Sequence, residues 1–167
     1  MPFERIKEPF YKYYIGLVKE KSLIEALENS ANELAEFFNK IPVSKADYRY
    51  AQDKWSIKEL LQHLIDTERI FVYRALTFLR QSNAVLPGYD HEAYVDELRL
   101  DHVTFEELIE EFSDVRRSTR SFYRNISPTE LDRIGTANGN EMSVEAIGRI
   151  IVGHARHHMG IIESRYL

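Results

Sequence analysis

The sequence predicts an all-α four-helix bundle. Three observations predict it: four Ser or Thr positions open segments with apolar residues at three- and four-residue spacing, no run alternates as a strand would, and one connection far exceeds what a bundle needs. The 167 residues make one domain, 1–167, and 44% hydrophobic with 29% charged residues suits a core folded in water.

The aromatic stretch Phe10-Tyr11-Lys12-Tyr13-Tyr14-Ile15 comes first and is expected to pack across the bundle. The first helix, over 22–39, opens on Ser22 with Glu25 at N3, where a hydroxyl takes a first-turn N–H and a carboxylate returns the bond. Ile41-Pro42 stops it, because proline removes a donor and disfavours helical backbone before it. The second, over 56–81, opens on Ser56 and Glu59, with Trp55 and Leu60 as a hydrophobic staple and Ile57, Leu60, Leu61, Leu64, Phe71, Val72, Ala75 and Leu79 as its apolar residues. The third, over 104–125, opens on Thr104 and Glu107 and ends before Ser127-Pro128. The fourth, over 143–165, opens on Ser143, with Glu145 near the positive helix end.

The loop 82–103, with the turn-forming Pro87-Gly88-Tyr89-Asp90-His91, is the outlier. Its extended reach of roughly 70 Å exceeds the roughly 38 Å length of the second helix, so it can return the chain to the end from which that helix started. Such a crossover gives an up-down-down-up bundle in which the second and fourth helices run antiparallel.

A net charge of −5 without a basic run argues against nucleic-acid binding. With no cysteine, any nucleophile or metal ligand is oxygen or imidazole. Met1-Pro2-Phe3-Glu4-Arg5 has no leader pattern, and no apolar stretch approaches the roughly 20 residues of a membrane span, so the expected compartment is the cytoplasm.

Three of six histidines lie in His154-Ala155-Arg156-His157-His158. At ~100° per residue, His154 and His158 fall within about 30° of Ile147 on the apolar stripe, Arg156 points about 180° away, and His157 lies about 80° aside with Gly153 and Gly160. A single inward histidine is most simply a core residue bonded to a carbonyl. Two stacked ones suggest metal ligation, since burial keeps imidazole neutral and able to donate its lone pair. His63 is the only other histidine inside a predicted helix, and it sits at a matching depth if the two helices are antiparallel. It nevertheless lies about 110° from the centre of its stripe. His91 and His102, in the loop, are weaker candidates. His157 is expected to meet a neighbouring helix, within the chain or across a dimer.

Glu68 falls about 20° from Ile57, in mid-stripe, and Arg116 sits likewise among Phe105, Leu108, Phe112, Thr119 and Tyr123. A buried ion pair is the expectation, and a general base at Glu68 the alternative. Glu59 could also orient His63.

Trp55-Ser56-Ile57-Lys58-Glu59-Leu60-Leu61-Gln62-His63-Leu64, Asp66-Thr67-Glu68-Arg69, Leu86-Pro87-Gly88-Tyr89-Asp90, Gly153-His154-Ala155-Arg156-His157-His158 and the ending Glu163-Ser164-Arg165-Tyr166-Leu167 together resemble the DinB/YfiT superfamily of damage-inducible-like metalloenzymes. The resemblance runs from about the first helix to the C-terminus. It implies a divalent metal, zinc or nickel first, on His63, His154 and His158. It also implies a homodimer with the crossover topology. Relatives include transferases or isomerases using a low-molecular-weight thiol and proteins called hydrolases, so the expected activity is transfer or hydrolysis of a small-molecule substrate by a metal-activated thiol or water. The alternative is a non-catalytic metal-binding or stress-response bundle.

Overall fold

The computed structural model describes residues 6–167; residues 1–5, read above for the lack of a leader, lie outside the described residues. In chain order the elements are α1 (Pro9–Gly16), α2 (Leu23–Lys40), a 3-10 turn (Val43–Lys45), α3 (Ile57–Arg80), β1 (Val85–Leu86), α4 (His91–Asp96), α5 (Phe105–Arg124), α6 (Pro128–Leu131), β2 (Ile134–Ala137), β3 (Asn140–Ser143) and α7 (Val144–Arg165). The four expected helices are α2, α3, α5 and α7. Ser22, Ser56, Thr104 and Ser143 each accept a backbone N–H three residues on, at 3.1–3.4 Å. Glu59 and Glu107 return the bond at 2.7 Å, whereas at Ser22 only the hydroxyl half forms.

The core shows the crossover. One cluster joins the N-terminal halves of α2 and α7 (Leu27, Ile147) to the C-terminal halves of α3 and α5 (Phe78, Tyr123). The other joins Phe38 and Ile162, from the opposite halves of α2 and α7, to Leu61 and Leu108. Helices α2 and α7 therefore run one way and α3 and α5 the other, with α3 packed between α5 and α7.

The sequence reading found no strand, and the structure corrects it. A three-stranded sheet of order β1-β2-β3 pairs β1 parallel to β2 at Val85↔Thr136 and closes β2–β3 as an antiparallel hairpin. Strands of two to four residues are too short to display alternation. The legible cue was Asn138-Gly139, whose φ values of 50° and 72° form the hairpin turn that such a pair favours. Through β1, the sheet anchors the start of the long connection beside α3.

The aromatic N-terminal stretch becomes α1, laid along α7. Its close approach explains Gly153, where a Cβ would stand 1.9 Å from the Tyr14 carbonyl oxygen. Gly160 meets nothing within 4 Å in this chain. Gly160→Ala should therefore stabilise the protein by about 1 kcal/mol through helix propensity, while Gly153→Ala must push α1 away and destabilise it. Thermal denaturation of the two variants checks this opposition. Arg156, on the far side of α7, donates to Glu20 (2.6 Å) and Glu33 (2.9 Å) and pins that face to α2 and the segment before it.

Candidate metal centre

Antiparallel packing of α3 on α7 sets His63, near the start of α3, against the second half of α7. Nε2 of His154 lies 3.1 Å from Nε2 of His63 and 3.0 Å from Nε2 of His158. One ring nitrogen from each of the three lies within 4.8 Å of the other two, and all three residues are buried. The flank of α3 that carries His63, off the stripe centre, faces α7. His157 is outside this cluster, with its ring 5.5 Å from Tyr13 and 5.3 Å from Tyr14. His91 stands at the side, 5.7 Å ring to ring from His63, and His102 is exposed and takes no part.

Burial sets the charge state of the cluster. It pushes His63 down to about 4, with His91 adding repulsion, and holds His154 and His158 well below the ordinary histidine range, helped by the neighbouring imidazoles. All three are neutral at pH 7. Thr67 Oγ1 is 3.4 Å from Nδ1 of His63 and 2.6 Å from the Tyr89 hydroxyl, so an Nδ1–H can donate to Thr67 and leave the Nε2 lone pair toward the centre. Nitrogens bound to zinc at roughly 2.0–2.1 Å and the tetrahedral angle lie about 3.3 Å apart, close to the spacing here. The donor set fits a divalent cation.

These shifts have a pH consequence for the metal-free protein. Between the unfolded value of about 6.5 and the folded value of about 4 for His63, the unfolded chain binds more protons than the folded one. The contribution is complete above pH ~6.5 and is lost as pH falls toward about 4. Melting temperatures of EDTA-treated protein should drop across that window, and a flat profile would contradict buried neutral histidines.

The cluster opens on a cavity of about 640 Å³, bordered also by Trp55, Thr67, Phe71, Tyr89 and His91 and by Tyr11 and Tyr14 of α1, with the Tyr14 ring 5.3 Å from that of His154. Asp90 and His91, from the long connection, both line it, with Asp90 capping α4 through Glu92 and Ala93 N–H. Glu59 does not orient His63, because its carboxylate accepts from Ser56 N–H and Arg49. Glu68 does not line the cavity and is instead bound by Arg116, whose Nε and Nη2 donate at 2.8–3.1 Å. Sequence reasoning assigned no role to Thr67, Tyr89 or Arg74. Since Thr67 lies one turn after His63, its i, i+4 spacing was the available signal. Thr67→Val should lower metal affinity about 10-fold, as loss of an outer partner does, and competition against a chromogenic chelator measures it.

The chain is similar to known proteins over most of its length. A protein of Oceanobacillus iheyensis named "Putative metal-dependent hydrolase" is 25% identical over 121 residues, covering 71% of this chain and 69% of that protein. The structure of YfiT from Bacillus subtilis, described as a probable metal-dependent hydrolase with an unusual four-helix bundle topology, superposes with a TM-score of 0.73 at 18% identity. It covers 98% of this chain and 90% of that one. Residues 26–162, and with them all three clustered histidines, match the family model of the DinB superfamily, and the chain belongs to that superfamily.

Proposed function

We propose that the protein is a metal-dependent hydrolase of a small molecule, with one divalent cation held by Nε2 of His63, His154 and His158. The observation that carries this reading is the meeting of three buried, neutral imidazoles at 3.0–3.1 Å on the wall of a substrate-sized cavity. The names of the relatives point the same way. A cation held there would supply Lewis acidity, bringing the pKa of a water or thiol bound to it toward neutrality. The chain's own groups do the rest. Thr67 and Tyr89 fix the His63 ring, while Tyr11, Tyr14 and Phe71 give the cavity an aromatic lining. His91 offers a fourth imidazole on the same cavity, outside the cluster of three, for moving a proton.

The open cavity favours an enzyme over an ion that only ties helices together, since a structural site is closed. Zinc and nickel are the ions to load first. The test is hydrolysis of p-nitrophenyl acetate by metal-loaded and EDTA-treated protein, with and without an added low-molecular-weight thiol. Hydrolysis that needs the metal and is lost in His154→Ala supports the reading. Turnover only with the thiol would make the protein a transferase, and equal rates after metal removal would contradict both. The homodimer that the family resemblance implies is part of the same proposal, and light scattering on the purified chain checks it.

A further inference from the structure

Arg74 is a buried cation without a counter-ion among the described residues. It is 3% exposed, and no carboxylate among the described residues pairs with it. Its Nη2 donates to the Pro87 carbonyl at 3.2 Å, while its Nη1 is buried without an acceptor among the described residues. The guanidinium carbon lies 5.0 Å from the centre of the Phe71 ring and 5.8 Å from that of Tyr89, and both rings border the cavity that reaches the three histidines. Arg74 lines it too. Aromatic faces offset part of the cost of burying a cation, but they leave the Nη1 donor unanswered. Asp90 is the one carboxylate among the described residues of the lining, and its Oδ1 is engaged by the α4 backbone.

The placement along α3 is regular. His63, Thr67, Phe71 and Arg74 all line the cavity, at i, i+4, i+8 and i+11 on one face of the helix. At 1.5 Å per residue, the backbone positions of His63 and Arg74 are about 16 Å apart. The Arg74 side chain leans toward the helix N-terminus, hence toward the histidines. The cavity thus has a metal-ligand set at one place and an unanswered guanidinium at another, with aromatic rings between.

We infer that Arg74 is an anion subsite of this cavity, and that the ligand it takes is a small molecule with a carboxylate held apart from the group presented to the histidines. A guanidinium presents paired N–H donors in a planar fork that a carboxylate matches and a neutral amide does not. The inference rests on the metal-centre reading in placing the reaction at the histidines, but the binding of the anion itself needs no metal.

The experiment compares benzoate with its neutral isostere benzamide by calorimetry, on zinc-loaded and EDTA-treated protein. Trp55, the only tryptophan and part of the lining, reports occupancy by fluorescence. Metal-free protein should prefer benzoate by about 10- to 100-fold, the range of a charge-assisted hydrogen bond. Arg74→Gln should abolish that preference without changing zinc content, and Arg74→Lys should restore part of it. Equal binding of the two probes by the unaltered protein, no saturable binding of benzoate, or an undiminished preference in Arg74→Gln would overturn the inference. If Arg74→Gln fails to fold, the preference of the unaltered metal-free protein decides. Zinc content on the same samples tests the metal centre separately: an Arg74-dependent preference in a protein that binds no zinc sinks the metal reading and leaves this one standing.

Discussion

Glu68→Ala is expected to cost about 3–5 kcal/mol, because it leaves Arg116 charged and unpaired in the middle of the bundle. The two side chains are each 3% exposed, and Arg116 donates through Nε to both Glu68 oxygens and through Nη2 to one of them, at 2.8–3.1 Å. Its Nη1 also bonds the hydroxyl of buried Ser30, so one guanidinium joins α2, α3 and α5. Removing Glu68 or Arg116 alone strands the other where water cannot reach it. Replacing both by apolar residues of similar volume, as in Glu68→Leu with Arg116→Met, removes both desolvation penalties and should recover most of the loss. Urea denaturation of the two single variants and the double variant measures this. A Glu68→Ala transition that coincides with that of the parent would contradict the buried pair.

His154→Ala is expected to have the largest effect on metal binding. Its Nε2 is the one within 3.1 Å of both other histidine nitrogens, so its loss leaves two donors from different helices with nothing between them. The affinity should fall beyond the roughly 10- to 100-fold that removing an outer partner costs. His157→Ala is the matched control, since its ring meets Tyr13 edge-on and Tyr14 at a tilt and, though 5.1 Å from the His158 ring, gives no nitrogen to the cluster. Competition titration against a zinc chelator, made on each variant, reads the difference. Metal retained in His154→Ala but lost in His157→Ala would move the ligand pair to another helical phase.

The long helices were legible because a cap is a local event: Ser56 with Glu59, or Thr104 with Glu107, is written within four residues and needs no tertiary partner. The two inward histidines of α7 were legible for the same reason, since helical phase alone places His154 and His158 together. His63 was legible only through the crossover: its depth along α3 matched that of the pair on α7 once the two helices were antiparallel, although its flank lies off the apolar stripe. The hairpin of β2 and β3 escaped because four-residue strands carry too little pattern. Arg74 escaped because an arginine late in a helix reads as ordinary surface. Its phase, within about 20° of Thr67, was the cue that it shares the histidine-bearing face. Its burial depends on Pro87 and Tyr89 folding back from the long connection, a contact no local pattern encodes.

The central claim is that three imidazoles of this chain hold one divalent cation, and X-ray absorption at the zinc edge of the loaded protein tests it most directly. The account predicts three imidazole nitrogens at roughly 2.0–2.1 Å and a remaining position filled by a light atom from solvent. A spectrum with no imidazole scattering, or one unchanged in His154→Ala, would contradict it.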